Sequence, residues 1–284
     1  MRCPVIVSRT DETSRLREAL RRPATGHGGV RVLRGEAGVG KSRLAAAVVA
    51  EAEQAGTVVL CGRAVRSAAS VPLRPLSEAL LGWLRTGTVP DDRSLAPYLP
   101  ALGRLAPQLG AAAADGASSV MLIGEGLLRL ATALGGAGTL LLVEDLHWAD
   151  PETLGVLEYV ADNARDVPLV VVATMRPHDA PDVARLVGDL RARGSLEVLD
   201  LDPLESEDVG AMLQACLGAD VPPGLDDLVG RFSAGYPLLV EEVLADLQAS
   251  GALARDGEGW LVRGSWSWGS PPPSPGRSRR GSTP

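Results

Sequence analysis

A chain of 284 residues with 45% hydrophobic content can bury a large core and a smaller second one. Its formal charge of −7 argues against a broad nucleic-acid surface, and 3% aromatic content leaves core building to Leu, Val and Ala. Three scattered cysteines (Cys3, Cys61, Cys216) carry no disulfide or metal spacing, and no stretch has the length and hydrophobicity of a signal or membrane segment; the expected setting is a reducing cytoplasm, with no membrane partner.

In chain order, Val30, Val32 and Leu33 mark a first strand, with Arg31 and Arg34 out of place in a run that central strands normally keep apolar. Residues 35–42, Gly-Glu-Ala-Gly-Val-Gly-Lys-Ser, follow it, and the Ala-rich stretch from Ser42 to about Gln54 reads as a helix. The run 57–61 (TVVLC) is a second strand. Residues 75–85 form a helix with Pro75 in its first turn, and 86–117, rich in Gly, Pro, Ala and Asp, read as a loosely structured insertion with one short helix. Ser118 and Ser119 are candidate caps for a helix whose buried face is Val120, Ile123, Leu127, Leu130 and Leu134.

Leu140–Val143 is an apolar strand ending in Glu144 and Asp145, and Asp150 with Pro151 opens the next helix. Residues 169–173 are a fourth strand, 182–193 a helix and 197–201 a fifth strand. Strands alternating with helices predict an α/β fold, a parallel sheet with helices on both faces. From 203 the pattern is helical only, at 205–216, 225–233 and 237–250. Residues 265–284, built from Ser, Pro, Gly and Arg, cannot bury enough apolar surface to order themselves.

The segment 35–42 matches the phosphate-binding loop G-x-x-x-x-G-K-[ST] between a strand and a helix. Gly35, Gly38 and Gly40 allow the turn whose N–H groups close on phosphate oxygens; Glu36, Ala37, Val39 and Arg43 belong to the same cradle. Lys41 reaches the β- and γ-phosphates and Ser42 offers a hydroxyl to Mg²⁺. Glu144 and Asp145 stand at the carboxyl end of a strand, where α/β sheets bind ligands. One carboxylate can hold Mg²⁺ and the other can activate water, and residue order alone does not say which. Thr174 and Arg176 share a face by strand periodicity, and Arg176 is read equally as a γ-phosphate contact or as a strand-end ion-pair partner. Gly235-Tyr236-Pro237 reads first as a helix stop followed by a helix start.

Together the segments VSRTDETSRLREAL, GEAGVGKSRL, LLLVEDLHWADPETL, VVATMRP and GYPLLVEEVL resemble, over about residues 5–262, the STAND-class signalling ATPases. They are most similar to the AAA or origin-recognition-like ATPase region of large ATP-binding LuxR-type transcriptional regulators. The resemblance implies a P-loop NTPase of three layers that binds ATP or ADP with Mg²⁺ and hydrolyses it slowly as a signalling switch. It implies Glu144 and Ser42 as metal ligands and Asp145 as the water-activating group. It also implies Arg176 as γ-phosphate sensor, Val5 to Arg9 beside adenine with Arg9 in contact, and Pro237 against the base. His147 and Trp148 match the family signature, with Trp148 expected to be buried and to orient the acidic strand. Ser8 stands where glycine is usual, which predicts an altered turn.

The implied organisation is a P-loop core with its adenine-side segment at 1–202, a helical lid at 203–250, the start of a winged helix at 251–264 and a disordered tail at 265–284. The resemblance would continue the winged helix, so the chain reads as a truncated product. Expected partners are ATP and either a second copy or an effector protein; DNA binding is not expected. The alternatives are a DNA-binding regulator or loader of the same family, a metabolite kinase, and a non-functional remnant.

Overall fold

The computed structural model describes residues 3–66, 71–111, 119–218, 221–257 and 259–263. Ser118, residues 112–117 of the expected insertion and the 265–284 tail lie outside the described residues. The elements in order are α1 (Thr10–Arg21), β1 (Gly29–Arg34), α2 (Lys41–Gln54), β2 (Val58–Arg63), α3 (Arg74–Trp83), α4 (Leu99–Leu102) and α5 (Val120–Leu134). Then come β3 (Thr139–Glu144), α6 (Pro151–Asn163), β4 (Leu169–Met175), α7 (Pro181–Ala192) and β5 (Leu196–Asp200). The rest is α8 (Ser206–Leu217), α9 (Leu225–Ser233), α10 (Pro237–Ala249), β6 (Leu253–Asp256) and β7 (Gly259–Val262).

Contacts divide the described residues into two compact units, one within 10–37 and 41–201, the other within 3–9, 38–40 and 202–263. The first unit is a parallel sheet in the order β2-β3-β4-β1-β5, flanked by helices, as in P-loop NTPases. Its central strand β4 is buried at every residue, which is why that stretch is an unbroken apolar run. Leu141, Val143, Val171, Ala173, Val30 and Val32 pack into one core with α3, α5, α6 and α7. α2 packs along β2, β3 and β4 through Leu44, Ala45, Val48 and Ala52.

Two expectations change here. Arg31 and Arg34 belong in β1 because the neighbouring strand answers them: the register sets Arg31 against Glu197 and Arg34 against Asp200. Arg31 Nε lies 2.8 Å from Glu197, and Arg34 reaches both Asp200 oxygens at 2.6 and 2.9 Å. The stretch 86–111 is not a loose insertion. Beyond a 3-10 turn and α4, Leu95, Leu102, Leu105, Ala106 and Leu109 are buried in the main core. Its glycines and prolines bend the chain while its leucines anchor it, a pattern without helical period.

The helix caps follow local chemistry. Ser119 accepts the Leu122 N–H at the start of α5, and Asp150 accepts the Thr153 N–H with Pro151 at the start of α6. α1 covers a stretch to which periodicity assigned no element, and it buries only Leu16 and Ala19.

The second unit has its own core from α8, α9 and α10, with Val209, Leu213, Val229, Val240, Val243 and Leu244. Cys3 is buried in that core and its N–H donates to Glu241 at 2.9 Å, so the first residues pack with the helices. Gly235 has φ +76, and a Cβ there would stand 2.2 Å from the Leu204 carbonyl oxygen. The helix stop before Pro237 therefore requires glycine for conformation and for space. β6 and β7 form an antiparallel hairpin.

Candidate functional site

In the sheet unit, the phosphate loop leaves β1 and enters α2, whose first residue is Lys41. Lys41 is 7% exposed, and its ammonium donates to the carbonyl oxygens of Gly35 and Glu36 at 2.8 and 2.9 Å. Burial pulls its pKa below the usual lysine value, and Arg176 adds to that; Asp145, Glu36 and Asp179 oppose it. The Gly35 N–H donates to the Met175 carbonyl at 3.3 Å, which ties the loop to the end of β4. Ala37 falls in the turn, Ser42 is exposed in the first turn of α2, and Arg43 is half-buried beside it. The loop backbone takes φ +81 at Gly38 and +107 at Gly40, as the pattern requires.

The acidic pair at the end of β3 separates into two environments. Asp145 adopts a left-handed conformation, φ 55 and ψ 44, unusual for a residue with a side chain. Its N–H donates to the hydroxyl of buried Thr174 at 2.9 Å. Its carboxylate accepts from Arg63 Nε at 2.8 Å and Nη2 at 2.6 Å. Glu144 is half-buried, directly across from Arg63 in the β2–β3 register. Asp145 acts electrostatically on Lys41, whereas Glu144 acts on Cys61, whose thiol is pushed up to about 11, first by burial and then by Glu53 and Glu144. Both carboxylates therefore stand beside Arg63 of β2, Asp145 bonded to it and Glu144 opposite it in the register, and of the two only Asp145 acts electrostatically on Lys41.

Arg176 follows β4 and is a third exposed. Its guanidinium stands 3.1 Å from Asp179 and 5.7 Å from the centre of the Trp148 ring, a cation–π distance. The 3-10 turn Leu146–Trp148 turns Leu146 and His147 inward. The buried member of the signature is therefore His147, whose side chain has 0% exposure; Trp148 is only half-buried. This corrects the expectation for Trp148, because a three-residue turn that buries its first two residues leaves the third at the rim. Neither His147 ring nitrogen has a hydrogen-bond partner among the described residues. Burial, first, and then the cations Arg176 and Lys41 hold the imidazole below its ordinary pKa, with Asp145 and Asp179 opposing.

The second unit holds the remaining candidates. Arg9 donates to the carbonyl oxygens of Val39, at 3.4 Å, and Asp202. The Leu238 N–H, one residue into α10 from Pro237, donates to the Gly38 carbonyl at 3.2 Å. Ser8 keeps the left-handed backbone, φ 53, that glycine would favour, and its hydroxyl bonds Asp208.

Residues 5–172, more than half of the chain, match the AAA ATPase domain family. The chain belongs to that family. Among solved structures, this AAA ATPase domain is similar to a STAND protein with a tetratricopeptide repeat sensor from Pyrococcus horikoshii. That likeness has 19% identity and a TM-score of 0.49, over 89% of this chain and 34% of that one. AMPPCP-bound DnaA from Aquifex aeolicus matches at 10% identity and a TM-score of 0.49, over 86% and 62% of the two chains. A curated relative, uncharacterized protein R02095 of Rhizobium meliloti (strain 1021), is 31% identical over 121 residues, which is 41% of this chain and 11% of the relative. The chain thus spans about a third of the STAND protein and a tenth of the curated relative. No helix among the described residues is long and apolar enough to cross a membrane.

Arg63, Thr174 as a hydrogen-bond acceptor and Asp179 are the site members that sequence reasoning missed. Arg63 closes a strand that ends two residues beyond the β-branched run that predicted it, and only the pairing of β2 with β3 reveals its partner.

Proposed function

We propose that this AAA ATPase domain is a signalling switch that binds ATP with Mg²⁺ and hydrolyses it slowly, in a regulator of the transcriptional type. The observation that carries the reading is Lys41. A desolvated ammonium, bonded to two loop carbonyls and subject to the charge of a second cation, Arg176, is stabilised by an anion placed against it. The β- and γ-phosphates of a nucleotide have that charge and fit the loop. Arg9 and Pro237 are our candidates for the base side, and Arg176 for the γ-phosphate. The motif LLLVEDLHWADPETL supports the regulator assignment.

Ser42 and Glu144 would hold Mg²⁺. Both are hard oxygen donors, and no cluster of three or more His, Cys, Asp or Glu ligands exists among the described residues. Few protein oxygens completed by phosphate and water is the usual Mg²⁺ arrangement. When bound, the ion neutralises phosphate charge. Asp145 is the group we assign to orient or deprotonate water. Arg63 engages one oxygen of that carboxylate, Oδ2, and competes with water for it, which supports a slow turnover.

The test is nucleotide binding by the purified chain and by Lys41→Ala, with ADP and a non-hydrolysable ATP analogue. The reading expects at least a tenfold loss of affinity, about 1.4 kcal/mol. Unaltered affinity in Lys41→Ala would refute it.

A further inference from the structure

His147 is a buried imidazole with no hydrogen-bond partner among the described residues, placed beside a carboxylate that holds Arg176. Its Nε2 lies 3.8 Å from Asp179 Oδ2, just outside hydrogen-bond length. The same carboxylate oxygen lies 3.1 Å from Arg176 Nη1. One anion therefore has a partner in hand and a second within a small rotation of its side chain.

We propose that Asp179 is a two-position latch on Arg176: it holds the guanidinium in the nucleotide-free and diphosphate states, and turns to His147 when a γ-phosphate takes that guanidinium. The inference rests on the reading of Arg176 as the γ-phosphate contact. Its logic is competition between two anions for one cation. A phosphoryl group carries more charge and more acceptor oxygens than a carboxylate, so it wins the arginine. The displaced carboxylate then needs a donor, and a neutral imidazole protonated at Nε2 supplies one N–H. The Arg176–Asp179 pair is 35% and 41% exposed, which keeps it weak enough to be released. His147 is rigid by comparison, enclosed and set against the Trp148 ring at 4.7 Å. The moving part is Asp179, and the fixed parts are the imidazole and the end of β4. His147 and Asp179 are positioning residues, since both act through Arg176.

The experiment measures affinities for ADP and for a non-hydrolysable ATP analogue in the full chain and four variants, and reads their ratio. Asp179→Asn frees Arg176 and is expected to shift the ratio toward triphosphate about two- to fivefold, the range that an exposed ion pair supports. His147→Phe keeps a flat ring but removes the second partner, and shifts the ratio the other way by a similar factor. In the Asp179→Asn background, His147→Phe has no further effect, an outcome that a packing role would not produce. Arg176→Ala distinguishes the γ-phosphate contact from the latch. If it leaves the ratio unchanged, the γ-phosphate reading fails and the latch with it. If it abolishes the preference while Asp179→Asn does not raise it, the latch alone is overturned. An equal effect of His147→Phe with and without Asp179 also overturns the latch.

Discussion

The phosphate loop and the cluster at the end of β4 each present a cation, and they hold it by opposite means. Lys41 is fixed by main-chain carbonyls five and six residues away, inside a turn whose glycines dictate the path. Arg176 is held by side chains: Asp179 on one hand and the Trp148 ring on the other. A backbone-built cradle is rigid and survives most side-chain changes outside its pattern. A side-chain-built cradle is adjustable, and each of its members can be tuned. On the function proposed above, the first suits a site that binds phosphate in every state, and the second suits one that tells two phosphates from three.

The largest effect is expected at the loop. At Gly40, φ is +107 and an added Cβ would meet no protein atom within 4 Å, so within the protein the cost of Gly40→Ala is conformational. An alanine there relaxes the free loop out of that conformation, and regaining it on binding at about 1–3 kcal/mol predicts a loss of nucleotide affinity of roughly tenfold, measurable by calorimetry. Space without strain would leave affinity intact and refute the backbone account.

Thr174→Val removes the acceptor of the buried Asp145 N–H while keeping the shape. Leaving that donor unpaired costs about 1–3 kcal/mol and loosens the left-handed turn that aims the carboxylate. The expected outcome is a lower melting temperature with hydrolysis reduced more than ADP affinity; equal losses of both would show a general effect on folding.

Trp148→Ala sharpens the other side. A cation–π contact at a partly exposed position contributes about 0.5–1 kcal/mol, so preference for triphosphate over ADP is expected to fall about two- to fivefold. ADP affinity itself stays unchanged, and a matched loss of ADP affinity would count against the ring as a platform for Arg176.

The smallest effect is on pH dependence. His147 titrates below its ordinary value of 6.5 in the folded chain, first because of burial. Between that lowered value and 6.5 the unfolded chain binds the extra proton, so stability falls as pH falls through this window, by at most about 1.4 kcal/mol per pH unit. His147→Phe should flatten that acid slope in thermal unfolding measured between pH 7 and pH 5, and an unchanged slope would place its origin elsewhere.

Much of the fold was legible because its signals are local. The loop pattern 35–42, the Asp150-Pro151 helix start and the apolar run of β4 each follow from residues adjacent in sequence. The leucines of 95–109 were not legible as core, since they bury without a helical or strand period. In the candidate site, Glu144 and Asp145 were found together by their position at a strand end, but their different surroundings were not.

Sequence alone determined the strand–loop–helix unit, the glycines it needs and the cation at its end, because those constraints act between neighbours along the backbone. Only the tertiary structure decided that Arg63 claims Asp145, that Glu197 and Asp200 answer the arginines of β1, and that His147 rather than Trp148 is enclosed. Those outcomes depend on which strand lies beside which, and on how a short turn rotates three residues. Strand order and side-chain direction are set by packing over the whole sheet, so no local run of residues encodes them.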